Sequence, residues 1–186
     1  MSNLIFYKTP LSDLKMIKHQ PSKDERGFLS RLFCQKTLNH LMREKKISQI
    51  NRTLTRKKGT VRGLHFQHPP YAETKIISCL RGKVWDVAVD LRKGSPTFLN
   101  YYAEILTNDN DKSYLIPEGF AHGFQTLTPD CEMLYIHTAD YNKDLEGAVN
   151  AADPRVKINW PEPITECSER DSNHSMLTDE FKGIEL

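Results

Sequence analysis

Hydrophobic and polar residues alternate with a period of two through the middle of the chain. The clearest run is residues 83–91, KVWDVAVDL, with Trp85, Val87, Val89 and Leu91 on one side and Val84, Asp86, Ala88 and Asp90 on the other. That is the pattern of a β-strand, whose side chains point to opposite faces in turn. Residues 132–141 alternate again and set Met133, Tyr135, His137 and Ala139 on one face. Strand-like pieces also cover 74–80, 101–106 and 113–116. Between them stand Arg81-Gly82, Gly94-Ser95-Pro96, Asn108-Asp109-Asn110-Asp111 and Pro117-Glu118-Gly119, combinations that end strands and turn the chain. The best helical signal is residues 37–45, where Leu38, Leu41 and Met42 are spaced three and four apart behind Thr37 as N-cap. Short strands at this spacing, without alternating helices, predict an all-β sandwich or barrel.

The two faces of 83–91 say more. A face with Asp86 and Asp90 among small residues, opposite Trp/Val/Val/Leu, fits a barrel with a partly polar lumen and hence a ligand cavity. The plain alternative is a solvent-facing side. At 186 residues, 38% hydrophobic and 27% charged, the chain has the size and composition of one domain with a real core. A net charge of +2 implies no dominant basic face and so no nucleic-acid partner. The basic run Arg56-Lys57-Lys58 ends at Gly59 and reads as a solvated loop. Cys34, Cys79, Cys131 and Cys167 are scattered without C-x-x-C spacing, which suggests reduced thiols rather than zinc or disulfides. No apolar stretch reaches the ~20 residues of a membrane span, so a cytoplasmic protein away from membranes is expected. Residues 178–186 read as a frayed end within a peripheral tail, about 176–186.

Four elements are unusual for a plain sandwich. Arg62-Gly63-Leu64-His65-Phe66-Gln67 carries two reactive side chains beside a glycine that permits close backbone approach. Lys75 heads an apolar strand and is either snorkelling or aimed into a site. The Pro117 and Gly119 turn presents His122 at the start of the next strand. Tyr135 shares a strand face with His137, and Tyr141 follows closely. Taken singly, each is as readily a hydrogen-bonded or core residue.

Together with Asp24-Glu25-Arg26-Gly27-Phe28 upstream and Asp153-Pro154, Trp160-Pro161 and Ser168-Glu169-Arg170-Asp171 downstream, these motifs resemble the dTDP-4-dehydrorhamnose 3,5-epimerase family over roughly residues 20–175. The resemblance implies a single cupin-like jelly-roll barrel spanning 1–186, and a homodimer that exchanges an N-terminal segment. It implies His65 as general base, Asp171 as the carboxylate that orients it, Lys75 beside the C4 oxygen and Tyr135 as general acid on the opposite face of the sugar. His122, Asp86 and Glu146 would be supporting polar residues of the pocket, and Tyr141 would line it. Arg26 and Arg62 would contact the pyrophosphate, Phe28 would stack on the base, and Gln49 and Asn51 would make further substrate contacts. The segment bearing Arg26 and Phe28 would complete the partner subunit's site.

The implied reaction is inversion at C3 and/or C5 of a nucleotide-activated 4-keto-6-deoxyglucose through an enolate. Removing a proton beside a ketone needs a base and a cation at the oxygen, and inversion needs an acid across the ring. No redox cofactor is required, and neither a G-x-G-x-x-G nor a P-loop is present. Many family members carry an acidic residue where this chain has Arg31, which opens a different nucleotide such as CDP. Inversion at a single carbon is a second alternative. A third comes from Pro117-x-Gly119-x-x-His122, which resembles half of a metal-binding cupin pattern with His65 or His68 as companions. Two observations argue against it: those histidines are not one residue apart, and the charges of Lys75 and Arg62 oppose a cation. A non-enzymatic sugar-binding cupin would leave the base and acid without a use.

Overall fold

A computed structural model describes residues 3–186, and they form an all-β jelly roll. The strands are β1 (Asn3–Lys8), β2 (Lys15–Gln20), β3 (Ser22–Asp24), β4 (Gly27–Leu29), β5 (Gln49–Thr55), β6 (Thr60–Gln67), β7 (Lys75–Arg81), β8 (Lys83–Asp90) and β9 (Tyr101–Thr107). They continue with β10 (Lys112–Ile116), β11 (Phe120–Thr126), β12 (Cys131–His137), β13 (Glu146–Ala148) and β14 (Glu166–Cys167). Two four-residue helices, α1 (Gln35–Leu38) and α2 (Glu169–Ser172), complete the set with one 3-10 turn. One sheet runs β1-β2-β10-β7-β12-β5, and the other β13-β6-β11-β8-β9 with β14 added to β6; β3 and β4 make a separate hairpin.

The chain buries three apolar layers. Between the sheets lie Met16, Ile77, Tyr114 and Met133 from one and Val84, Ala88, Phe120 and Phe124 from the other. Outside the second sheet, Leu64, Phe66, Val87, Val89 and Leu91 pack under Val149, Val156 and Ile184 of the C-terminal segment. Outside the first, Ile17, Ile76, Leu115 and Ile136 pack under Leu38 and Met42. The two faces of 83–91 divide as the alternation predicts, but both are buried. Asp86 and Asp90 are fully enclosed, which removes the solvent-facing alternative. Asp90 is held by Arg92, Ser95 and Thr97 rather than facing a cavity.

Two expectations are corrected. The helix over 37–45 is shorter and begins earlier: α1 starts after Cys34, so Thr37 lies inside it rather than capping it. Its apolar spacing reflects the burial of Leu38 and Met42, while positive φ at Arg43 and Glu44 ends the helical course. The tail does not fray at its end, because Ile184 is buried, donates its N–H to Leu91 and accepts one from Lys93. No helix among the described residues is long and apolar enough to cross a membrane.

Candidate active site

Strands β7, β12 and β5 of one sheet and β6 and β11 of the other contribute to a cavity of about 830 Å³. His65 on β6 faces His122 on β11, and Lys75 on β7 faces His137 on β12, each as a registered cross-strand pair. The first pairing depends on backbone contact. A Cβ on Gly63, whose φ is +120°, would fall 2.6 Å from the Cα of Gly123, so a side chain here would push β6 off β11. The register between the two strands slips at this point, and Arg62 and His65, three residues apart, both line the cavity.

His65 and Asp171 form a dyad. The Nε2 of His65 lies 2.8 Å from Oδ1 of Asp171, whose Oδ2 accepts the Gly63 N–H at 3.1 Å. Asp171 is buried, and the side chain of Ser168 caps α2 by accepting its N–H. Burial alone would raise the Asp171 carboxyl, but the His65 bond, the Gly63 N–H and the Arg170 charge outweigh it and hold it well below the carboxylate range. Arg170 lies over the pair, with Nη2 3.1 Å from His65 Nε2 and Nε 3.4 Å from Asp171 Oδ1. Its Nη1 donates to Glu146 at 2.9 Å, and Glu146 also accepts the Tyr141 hydroxyl at 3.0 Å.

Lys75 is buried and aimed inward rather than snorkelling. Its ammonium donates to the His65 carbonyl at 3.1 Å and pairs with Glu73 at 3.3 Å. Glu73 holds the Nδ1 of His137 at 2.8 Å with its other oxygen. Burial opposes the charged form of Glu73, yet His137 and Lys75 together keep its carboxyl below the ordinary range. Glu73 was not singled out from the sequence, because it lies in the loop before β7, where no strand period marks it. Asn51 approaches the Nε2 of His137 at 3.4 Å.

Tyr135 sits between two imidazoles, stacked on His137 at 6.0 Å and edge-on to His122 at 5.9 Å. Burial, then the charge of Asp86, push its phenol well above the usual tyrosine range. Asp86 does not line the cavity itself. It acts through His122, whose Nε2 it holds at 2.8 Å, while its other oxygen lacks a protein partner. Burial raises the Asp86 carboxyl, and His122 works against that rise.

The cavity thus gathers His65, Asp171, Lys75, Tyr135, Arg62, His122, Asn51, Tyr141 and Glu146. Gln49 stands just outside, accepting the Tyr141 N–H at 2.9 Å. Arg26 and Phe28 are not brought there by their own chain. Arg26 is paired with Asp24 on the β3–β4 hairpin, and Phe28 is 70% exposed. The metal-cupin trio of His122, His65 and His68 does not converge: the first two face each other across β6 and β11, while His68 lies outside the cavity.

This geometry offers an oriented base, a buried ammonium and a protonated phenol around one space, which suits proton removal and return beside a carbonyl. Residues 8–179 match the family model of dTDP-4-dehydrorhamnose 3,5-epimerase. The dTDP-4-dehydrorhamnose 3,5-epimerase of Sinorhizobium fredii is 36% identical over 178 residues, covering 95% of this chain and 91% of that protein. The crystal structure of the Bacillus anthracis dTDP-4-dehydrorhamnose 3,5-epimerase with TDP and PPi bound superposes with a TM-score of 0.88 at 37% identity, over 94% of this chain and 100% of that one. The Legionella pneumophila dTDP-6-deoxy-D-glucose-3,5-epimerase in complex with dTDP-4-keto-L-rhamnose gives 0.88 at 33% identity, over 100% of both chains.

Proposed function

The chain belongs to the dTDP-4-dehydrorhamnose 3,5-epimerase family and is an epimerase; from that premise we propose that it inverts C3 and C5 of a dTDP-4-keto-6-deoxyglucose with the residues gathered in its cavity. The observation that carries the residue assignment is the His65–Asp171 dyad facing the same cavity as Lys75 and Tyr135.

In this reading, His65 donates its Nε2–H to Asp171, which leaves Nδ1 with the lone pair that takes the proton. The negative charge of Asp171 then favours the imidazolium that forms. Lys75 donates to the C4 oxygen as it becomes an enolate, and its ammonium serves as a compact charge already held in place by Glu73. Tyr135 returns a proton to the opposite face, and His122, backed by Asp86, supports the sugar beside it. Arg62 takes the pyrophosphate, whose oxygens suit a forked guanidinium. Dinucleotide or metal chemistry has no step to perform here, since acid, base and cation are side chains. Incubation with dTDP-4-keto-6-deoxyglucose in deuterated water is expected to place deuterium at both C3 and C5 of the product, read by NMR. Label at one carbon alone would make it a single-position enzyme, and no label with dTDP but uptake with the CDP sugar would reassign the nucleotide.

The same reading includes a homodimer in which Arg26 and Phe28 enter the partner's cavity. Their place on an exposed hairpin supports it, as does the exposed edge strand β5 with Ile50 59% and Leu54 39% accessible. Co-expression of His65→Asn with Arg26→Ala, each inactive or weak alone, tests the sharing. Random pairing gives mixed dimers with one intact site, so about a quarter of the sites recover activity. No recovery in verified mixed dimers would keep each arm with its own chain. A cytoplasmic setting goes with this reading, because all four thiols are free.

A further inference from the structure

His174 has no task in the reaction, yet it stands three residues beyond Asp171, two past the last residue of α2. Its Nε2 is buried without a hydrogen-bond partner and lies 4.0 Å from the Asp171 Oδ1 that His65 also holds. Among the described residues, His65, Asp171 and His174 are the one group of three whose ligand atoms all fall within 4.8 Å of one another. Two imidazoles and a carboxylate are a donor set suited to zinc, which takes such ligands at about 2.0–2.2 Å. Tetrahedral bonds of that length set ligand atoms about 3.4 Å apart. The pair at 4.0 Å has only to close and the pair at 2.8 Å to open by some tenths of an ångström.

We propose that His65, Asp171 and His174 form an inhibitory site for a divalent transition-metal ion, zinc in particular, that competes with Arg170 for the catalytic dyad. Arg170 occupies the place the ion needs, 3.1 Å from His65 Nε2 and 3.4 Å from Asp171 Oδ1. A guanidinium and a zinc ion repel each other, so the two exclude one another. The Arg170 side chain is 55% exposed and already bonded to Glu146, so it can leave the dyad while keeping that partner, whereas His65 sits on β6, Asp171 on α2, and the His174 carbonyl is held by Asn150.

Metal on the Nε2 of a neutral imidazole moves the ring proton to Nδ1, and that nitrogen loses the lone pair needed for abstraction. This consequence rests on His65 being the base; the binding itself does not. An enzyme acting in a cell with fluctuating zinc would thereby lose activity reversibly, without any change in its substrate contacts.

The test uses the full chain and two independent readouts. Co²⁺ is titrated as a spectroscopic probe, and one equivalent is expected to give the strong visible bands of a four-coordinate site, lost on adding Zn²⁺. In parallel, Zn²⁺ is expected to stop deuterium exchange at the sugar, with full recovery on adding EDTA. His174→Asn and His174→Gln should exchange at the native rate without metal, but need on the order of tenfold or more Zn²⁺ for the same inhibition. Arg170→Met should bind Co²⁺ more tightly than the native chain. Equal Co²⁺ affinity with and without His174, or none in the native chain, overturns the site and leaves the base assignment standing. Stoichiometric binding through His174 without loss of exchange overturns the inhibitory role and, with it, His65 as base.

Discussion

Exchanging His65 for asparagine is expected to slow deuterium uptake at the carbons beside the ketone by about three orders of magnitude, within the range by which positioned general bases act. Asparagine is the informative choice. Its amide can still donate to Asp171, whereas alanine strips a buried carboxylate of one hydrogen bond, which costs about 1.5–3 kcal/mol for a bond to a charged group. The Gly63 N–H and Arg170 remain in either case, so the fold should survive and melt near the native temperature. Asp171→Asn should slow exchange as well, since a neutral amide no longer stabilises the imidazolium. The double variant should be no slower than His65→Asn alone, because the two residues act as one unit. A His65→Asn enzyme keeping more than a tenth of the native exchange rate would remove His65 from the base role.

The dyad also illustrates which features local patterning carries. The strand at 83–91, the turn at Pro117-Gly119 and the glycine beside His65 were legible because each is written in consecutive residues. Burial of both faces of β8 was not, since the outer face is covered by Val156 and Ile184 from far along the chain. Strand β5, QINRTLT, escaped notice because an edge strand facing solvent carries polar residues on both sides. Strand β11, FAHGFQT, is buried throughout and has no alternation to read. In the site, His65, Lys75 and Tyr135 stood out from their local sequence, each with an equally plain structural role, while Asp171 and the roles of all four came only through a resemblance of whole motifs. The bridge from Lys75 through Glu73 to His137 spans two strands and the turn before them, so only the folded chain reveals it. Arg26 and Phe28 lie outside their own chain's cavity, on an exposed hairpin, so the folded chain by itself gives them no place in the site.

Tyr135→Phe should separate two events that the native enzyme performs together. With His65 and Lys75 intact, the enolate still forms, and the imidazolium can return a proton or deuteron to the face it came from. Deuterium therefore enters at a substantial rate while formation of the inverted sugar falls by about two to three orders of magnitude. Packing is not the cause, since phenylalanine keeps both the stack on His137 and the edge contact with His122. Ionisation offers no second route to the same loss. Burial and the Asp86 charge hold the phenol well above its usual range, so it stays protonated as pH rises through neutral and beyond. Inversion by the native enzyme should accordingly show no decline from loss of the Tyr135 proton on approaching pH 10, the ordinary tyrosine value of about 10. The decisive comparison is the ratio of exchange to inversion. If the two fall by the same factor in Tyr135→Phe, the phenol is not the donor on the second face. The donor role would then pass to His122, whose imidazole lies edge-on to the same ring and is held by Asp86.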